Sequence, residues 1–238
     1  MKISANYKFA FLCNPKCGST SIEKAINPYC ESGLGGIPTL KHINAKTFKR
    51  HIRPLLRRAG IAEQMETFCI VREPVERVYS WYKYQTRAVL SDEAHPTHQK
   101  YTGGISFEQF VEGYISKVKP AYCAKIGTQA GFMNLAKGQL GVDHVFRLDQ
   151  MDTVAEYLSQ KIGKPIVIPH RNASPESTGS PVVKKRRLFD PSSWFGSTQA
   201  VEANLPPPEP MELSDELLAR LKTYLAADYR IYNNLSGR

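Results

Sequence analysis

A short polar loop near the start of the chain has the residue types of an anion-binding site. Residues 14–21, with the sequence NPKCGSTS, stand between a short apolar run, Lys8–Cys13, and a predicted helix over 19–26. At a strand-to-helix turn, successive backbone N–H groups and the positive end of the helix together form a cradle for an anion. Lys16 comes two positions before Gly18, whereas the Walker A motif has its Lys directly after the second Gly. The loop therefore predicts a phosphate-like ligand without a Walker A motif, and a plain polar turn is the alternative.

A second set of polar residues follows the apolar run at 68–71. Arg72 stands where that predicted strand ends, and Pro74 suits the first turn of a helix, where no N–H is needed. Arg77 and Ser80 then follow on that helix. Arg72 is thereby placed over the carboxyl edge of the sheet, where doubly wound folds bind their ligands. Arg77 has an alternative role, an ion pair with a glutamate of its own helix.

The order of the predicted elements indicates an α/β fold. Strands are predicted at 8–13, 68–71, Asp143–Leu148 and Pro165–Ile168. Helical patterns lie between them, and strands that alternate with helices form a mostly parallel sheet with helices on both faces. We therefore predict one P-loop-like α/β domain over residues 1–238.

Three further helices are predicted from local patterns. An apolar stripe predicts a helix over 48–59, with a kink or a break at Pro54. A second stripe predicts a C-terminal helix over 217–235. Ser106 and Gln109 have the spacing of a capping box, which opens a helix that runs to about residue 116.

Two segments of the chain are expected to lack regular helices and strands. A variable loop is expected at about 85–104, and a Pro-rich irregular segment at about 169–210, which holds 8 of the 16 prolines.

The formal net charge of +10 favours an anionic partner, such as a nucleic acid, a phosphorylated nucleotide, an acidic glycan or a membrane surface. Five cysteines without Cys-x-x-Cys spacing predict reduced thiols and no zinc site. No uncharged apolar run reaches 18 residues and no signal peptide is evident, so we expect no membrane span and a cytoplasmic location.

The two polar motifs together resemble those of the sulfotransferases that use 3′-phosphoadenosine 5′-phosphosulfate (PAPS). The 5′-phosphosulfate loop of that family is similar to residues 15–21. Its 3′-phosphate motif, Arg-x-Pro-x-x-Arg-x-x-Ser, is matched at Arg72, Pro74, Arg77 and Ser80. Further segments resemble the carbohydrate-type branch of the family, at 145–149, 169–174 and 228–232. The lack of an N-terminal anchor and of lumenal disulfides resembles the soluble, bacterial-type members.

The resemblance implies transfer of a sulfuryl group from PAPS to an acceptor hydroxyl on a carbohydrate or glycolipid, with release of adenosine 3′,5′-bisphosphate (PAP) and without a metal. Lys16 is implied to stabilise the leaving oxygen. His42, in a segment similar to the second strand of the family, is implied to act as the base, with a surface or capping role as the alternative and Glu23 as a rival base. Cofactor contacts are implied at Pro15, Lys16, Cys17, Gly18, Ser19, Thr20, Ser21, Arg72, Arg77, Ser80, Arg171 and Arg186.

The acceptor side of the site is less defined. Gln129 resembles a Gln in the acceptor region of the family, and a buried polar turn is its alternative. His95 and His98 are further candidate acceptor contacts, with solvated loop histidines as the alternative. The expected partner is a hydroxyl-bearing acceptor, with no nucleic acid and no membrane span.

Two other functions stay open at this point. One is a P-loop nucleotide kinase, which needs a Walker-type Lys and a magnesium carboxylate. The other is a nucleic-acid-binding module that uses the basic polar face of residues 46–57.

Overall fold

A five-stranded open sheet forms the centre of the molecule. The computed structural model describes residues 1–116, 122–169 and 211–235. The strands are β1 (Lys2–Ser4), β2 (Phe9–Leu12), β3 (Ser32–Gly33), β4 (Glu66–Val71) and β5 (His144–Arg147). Their order across the sheet is β3-β1-β2-β4-β5; β2, β4 and β5 are parallel, and β1 runs antiparallel to both of its neighbours. The centre of the sheet is therefore parallel, as predicted, and an antiparallel edge is added that the sequence patterns did not show.

Helices connect and flank these strands. The α-helices of the described residues are α1 (Ser19–Ile26), α2 (Pro38–Lys41), α3 (Ala45–Thr47), α4 (Arg53–Arg58), α5 (Pro74–Gln85), α6 (Ala88–Ser91), α7 (Phe107–Ile115), α8 (Gln129–Met133), α9 (Met151–Ile162), α10 (Asp215–Tyr224) and α11 (Ala226–Asn233). A π-helical turn, Phe48–Ile52, joins α3 to α4, and short 3₁₀ turns occur at Asn27–Tyr29, His98–Lys100, Tyr122–Ala124 and Ala136–Gly138.

Alternate strand residues face two separate hydrophobic layers. Phe9 and Phe11 of β2 pack with α1 and α9, whereas Ala10 and Leu12 pack with α8 and the helical segment 45–58. This division follows from the two-residue period of a β-strand. A strand that is buried on both faces is apolar throughout, which is why β2 and β4 were visible as continuous apolar runs. The prediction of helices on both faces is confirmed.

A third hydrophobic cluster is formed by helices alone. Val78 and Tyr82 of α5 pack with Phe110 of α7 and Leu221 of α10. The Tyr82 hydroxyl also donates to the Ile105 carbonyl at 2.9 Å. This cluster holds α5, the helix that carries the second polar motif.

Two local signals in the sequence have the predicted structural effect. Ser106 Oγ accepts from the Gln109 amide at 3.1 Å, and Gln109 Oε1 accepts from the Ser106 amide at 2.9 Å, so the capping box is complete. The break near Pro54 is the π-helical turn, in which the Arg53 amide donates to the Phe48 carbonyl. Pro54 has no N–H with which to continue the α-helical pattern, so the wider turn precedes it.

Three predicted elements differ from the structure. Pro165–Ile168 is not a strand, because the amide of Ile166 donates to Ser159 Oγ at 2.9 Å instead of to a neighbouring strand. The C-terminal stripe is divided at Leu225, where the chain leaves helical geometry between α10 and α11. The segment 85–104, predicted as a long loop, contains α6 and a 3₁₀ turn.

Candidate functional site

The loop between β2 and α1 has several backbone N–H groups without an acceptor among the described residues. Lys16 and Gly18 both have a left-handed φ, of +66° and +69°, and α1 begins directly after them at Ser19. No side chain caps the helix, and the amides of residues 17–20 donate to no acceptor among the described residues. Left-handed residues in such a turn direct successive N–H groups to the same side, as in anion-binding nests. The loop therefore has the backbone geometry that the predicted anion cradle requires.

Gly18 is also the point where the loop packs most closely. A Cβ at this position would lie 2.4 Å from Leu148 Cδ1, so only glycine fits both the backbone angle and the space. Leu148 directly follows β5, and its amide donates to the Val71 carbonyl at the end of β4 at 2.8 Å. The ends of β2, β4 and β5 therefore meet at one edge of the sheet, which is where doubly wound folds bind ligands.

Gln129 joins this loop to the start of the second motif. Its Oε1 accepts from the Arg72 amide at 2.9 Å and from Cys17 Sγ at 3.2 Å, and its Nε2 donates to the Arg72 carbonyl at 2.8 Å. Asn14 Nδ2 donates to the same oxygen at 3.3 Å and to the Ile70 carbonyl at 3.1 Å. Gln129 is only 1% exposed, so its position favours the buried alternative over contact with an acceptor.

Arg77 supports the loop from α5. It is 2% exposed, its Nε donates to the Pro15 carbonyl at 3.0 Å, and its Nη1 donates to the Gly127 carbonyl at 2.8 Å. The glutamate that pairs on this helix is Glu76, whose partner is Arg72 at 3.1 Å. In this structure Arg77 therefore positions the loop backbone, and Arg72 is the more accessible of the two cations.

The ammonium group of Lys16 lies over an aromatic ring. Lys16 Nζ is 4.3 Å from the ring centroid of Tyr84, and Arg87 Cζ is 4.2 Å from the same centroid. Both cations therefore lie within cation–π distance of the same ring. Burial lowers the pKa of Lys16 to about 8, with further contributions from the charges of Arg87 and Arg72.

His42 lies beside the same loop, although no strand leads to it. It follows α2 as the C-cap residue, and its Nδ1 is 2.7 Å from the carbonyl of Cys13. Because a carbonyl only accepts, Nδ1 carries the proton, and Nε2 is left free to accept one. Burial lowers the pKa of His42, and the bond to Cys13 opposes this in part. The predicted second strand is wrong for this segment, yet His42 is close to the cradle.

Glu23, the rival base, is already engaged. Its Oε2 is 2.7 Å from Lys41 Nζ, and Cys13 Sγ donates to its Oε1 at 3.4 Å. Burial raises the pKa of Glu23, but the hydrogen bond and charge of Lys41 outweigh it, and the net shift is downward. A carboxylate with a lowered pKa is a weaker base, so the structure favours His42 over Glu23.

The remaining predicted contact residues lie on α5 and in the segment that follows it. Ser80 is half-buried on α5, two turns beyond Arg72. In the predicted acceptor loop, His98 Nδ1 donates to the Leu90 carbonyl at 2.9 Å, and His95 Nδ1 accepts from the Thr97 amide at 3.2 Å. Both histidines are thus bonded within their own loop.

Arg171 and Arg186 lie outside the described residues, as does most of the Pro-rich segment 169–210. Within the described part of the chain there is no cluster of His, Cys, Asp and Glu that could hold a metal ion. In the same ranges, no helix is both long and apolar enough to span a membrane.

Sequence reasoning missed the roles of Asp228, Tyr84 and Arg87. The Asp228 carboxylate accepts from the amides of Gln129 and Ala130 at 2.9 and 2.7 Å, and so caps α8 from α11. Burial raises the pKa of Asp228, and these two hydrogen bonds oppose the increase. Its partner Gln129 is 99 positions away, so no local pattern reveals the cap. For Tyr84 a weak signal exists, since it lies one helical turn after a motif residue on α5.

An α/β fold with an anion cradle at the carboxyl edge of a parallel sheet is typical of proteins that bind nucleotides. A family model described as the sulfotransferase family matches residues 1–233. The match covers nearly the whole chain, and the chain therefore belongs to the sulfotransferase family, which makes it a transferase of sulfuryl groups. No curated protein and no solved structure gave a significant match.

Proposed function

We propose that this protein transfers a sulfuryl group from PAPS to a hydroxyl of a carbohydrate or glycolipid acceptor and releases PAP. The observation that carries the proposal is the link through Gln129, which bonds to Cys17 in the loop and to both backbone groups of Arg72. This link joins the loop over residues 14–18 to the segment that begins at Arg72, and so supports a single binding unit made of both. A ligand with anionic groups at two separated positions fits such a unit, and PAPS has this form.

The two halves of the unit have different tasks toward the cofactor. The free amides of residues 17–20 and the hydroxyls of Ser19, Thr20 and Ser21 are suited to the 5′-phosphate. Arg72 and Ser80 are suited to the 3′-phosphate. Arg72 is paired with Glu76 in this structure, so a 3′-phosphate would replace one anion with another on the same guanidinium.

PAPS supplies the sulfuryl group and the bisphosphate that leaves. The bond between sulfur and the bridging phosphate oxygen breaks as the acceptor oxygen bonds to sulfur. Lys16 stabilises the negative charge that develops on the departing oxygen. Nε2 of His42 takes the proton of the acceptor hydroxyl, and the bond from Nδ1 to Cys13 holds the ring in the tautomer that can do so.

Other parts of the proposal come from the sequence alone. Arg171 and Arg186 are proposed as additional cofactor contacts, and His95 and His98 as contacts to the acceptor. The cytoplasmic location stays a prediction from the sequence. The acceptor can be identified by a screen of glycans, lipids and phenols with labelled PAPS.

Thermal stability in the presence of nucleotides tests the cofactor. PAP should stabilise the fold more than AMP or ATP at equal concentration, because only PAP offers a 3′-phosphate to Arg72 and Ser80. A ligand at about 100 times its dissociation constant adds roughly 2.7 kcal/mol to the free energy of unfolding. The shift should not depend on magnesium. Stabilisation by ATP that requires magnesium would instead support a nucleotide kinase.

Two substitutions separate binding from chemistry. Lys16→Met should lower the single-turnover rate far more than the affinity for PAP, because its charge matters most in the transition state. Arg72→Ala should mainly lower the affinity for PAP, measured by calorimetry. Equal losses of rate and affinity in both variants would contradict this assignment of roles.

A further inference from the structure

The C-terminal helix α11 reaches the same edge of the sheet as the two motifs. The Tyr229 hydroxyl donates to Glu73, the N-cap of α5, and the Tyr232 hydroxyl donates to Asp149 Oδ2 at 3.2 Å, just beyond β5. Asp228 is 2% exposed and is the buried residue of this helix. The two tyrosines hold α11 at this edge, so the helix does not depend on Asp228 for its attachment.

Asp228 uses both of its carboxylate oxygens on the backbone of α8. Oδ2 accepts from the Gln129 amide at 2.9 Å, and Oδ1 accepts from the Ala130 amide at 2.7 Å. The next amide, that of Gly131, donates to the hydroxyl of the N-cap residue Thr128 at 3.0 Å. The first three amides of α8 therefore all have acceptors, and two of them depend on a residue of another helix. Asp228 thus fixes the backbone of Gln129.

The side chain of Gln129 transmits this position to Arg72. Its Oε1 accepts from the Arg72 amide at 2.9 Å, and its Nε2 donates to the Arg72 carbonyl at 2.8 Å. A residue that is bonded at both of its backbone groups cannot shift without losing one of the two bonds. Gln129 can make both bonds only while its own backbone stays in place, so the position of Arg72 depends on Asp228.

A buried cation acts on the same stretch of backbone as Asp228. Arg77 is 2% exposed, donates to the carbonyls of Pro15 and Gly127, and forms no ion pair with a described residue. Burial raises the pKa of Asp228, whereas its two amide bonds and the positive charge of Arg77 oppose this increase. Opposite charges thus bind residues 127–130, Arg77 at a carbonyl and Asp228 at two amides, and each offsets part of the cost of burying the other.

We propose that Asp228 is a positioning residue for the 3′-phosphate half of the site: through Gln129 it holds Arg72 in place beside the loop, without touching the ligand itself. This inference rests on the proposed function for the identity of the ligand, whereas the link from Asp228 to the Arg72 backbone does not. Arg72 is the cation suited to the 3′-phosphate. Loss of Asp228 should therefore lower the preference for PAP over AMP, and not nucleotide binding in general.

The ratio of the affinities for PAP and AMP, measured by calorimetry on the full chain, tests this role. Asp228→Asn keeps the shape of the side chain but has one acceptor oxygen, so it should lower the ratio about five- to tenfold, the equivalent of one hydrogen bond. The matched control is Ser214→Ala, which removes the side-chain cap of α10 at the Leu217 amide and should lose stability but keep the ratio. An unchanged ratio in Asp228→Asn, or an equal decrease in both variants, would overturn the proposal.

A double variant distinguishes positioning of Arg72 from an independent effect on the fold. Once Arg72→Ala is present, adding Asp228→Asn should lower the affinity for PAP no further, because the residue through which it acts has been removed. Additive losses would overturn the proposal. Gln129→Met removes the intervening bonds and should lower the ratio at least as much as Asp228→Asn. A Gln129→Met protein with the ratio of the parent would contradict the proposal even if Asp228→Asn did not fold.

Hydrogen exchange at the Arg72 amide separates this inference from the proposed cofactor. Without ligand, the Arg72 amide should exchange about tenfold faster in Asp228→Asn than in the parent, because its acceptor on Gln129 is held less firmly, and close to the parent rate in Ser214→Ala. An unchanged rate in Asp228→Asn would overturn the positioning role. Faster exchange, together with no preference of the parent for PAP over AMP, would reject the proposed cofactor and leave the positioning role standing.

Discussion

At the scale of single residues, Lys16 and His42 set opposite limits on the active pH range. His42 must be neutral to accept a proton, and burial lowers its pKa below the usual 6.5, so activity should rise with pH below 6.5 and then level off. Lys16 must be charged, and its pKa of about 8 predicts that activity falls above that pH. The profile of kcat/KM between pH 5 and 10 should therefore be bell-shaped.

Two variants assign the limbs of that profile. Lys16→Arg keeps a charge at all accessible pH values, so its alkaline limb should disappear while the acid limb stays. His42→Ala should lose about 10²–10⁴-fold in rate, and its acid limb as well, with PAP affinity unchanged. A His42→Ala protein that keeps more than about a tenth of the parent rate would exclude His42 as the base.

Tyr84 is predicted to position Lys16 through its ring and not through its hydroxyl. A cation over an exposed ring gains about 0.5–1 kcal/mol, so Tyr84→Leu should lower the single-turnover rate roughly two- to fivefold with little change in PAP affinity. Tyr84→Phe retains the ring and should remain close to the parent. If the Phe and Leu variants lose rate equally, the hydroxyl is the important group and this role is wrong.

At the scale of elements, the turn between β2 and α1 combines backbone strain with close packing. Gly163, the C-cap of α9, offers a matched control, because its φ of +73° is similar to that of Gly18 but a Cβ there would meet nothing within 4 Å. Gly163→Ala should cost about 1 kcal/mol for the left-handed backbone alone. Gly18→Ala should cost about 1–3 kcal/mol more, because its Cβ would overlap Leu148. Equal losses in urea unfolding would show that Leu148 moves aside freely.

The same elements show what local sequence patterns can predict. The helix over 19–26 was predicted with the bounds of α1, because an apolar strand, a glycine turn and a helical stripe are all local signals. Lys16 and Arg72 were found because each follows a strand that is visible in the sequence as an apolar run. The short strands β1 and β3 were missed, since three and two residues are too few to show a period.

The connections between elements were beyond the reach of such patterns. Gln129 was noticed only through family resemblance, and its contacts with Asn14 and Arg72 span 115 and 57 positions. The short apolar segment at 165–168 has the composition of a strand, but only tertiary structure decides whether a neighbouring strand is present. The two polar motifs of the site could thus be predicted from local patterns, whereas the long-range hydrogen bonds that connect them could not.

At the scale of the whole molecule, the cysteines predict resistance to thiol reagents. All five are free, four of them are buried, and burial raises the pKa of each. Even Cys30, which is only partly buried, has a pKa raised from 9.0 to about 12, and so carries on the order of 10³-fold less thiolate at neutral pH. A thiol-reactive dye should label the native protein far more slowly than the unfolded protein, in which all five should react. Rapid labelling of native protein would indicate that the core opens readily.

The ring contact of Tyr84 also gives the molecule an optical reporter. Trp81 lies edge-on to Tyr84, with centroids 5.9 Å apart, and its indole N–H has no partner among the described residues. The chain has two tryptophans, so Trp194→Phe leaves Trp81 as the single tryptophan, which can be excited selectively, next to the ring that contacts Lys16. An anion that binds beside Lys16 adds negative charge close to the Tyr84 ring, and so changes the electrostatic surroundings of Trp81. Stopped-flow emission from Trp81 can therefore time the arrival of the cofactor in an unlabelled protein, before any acceptor is known.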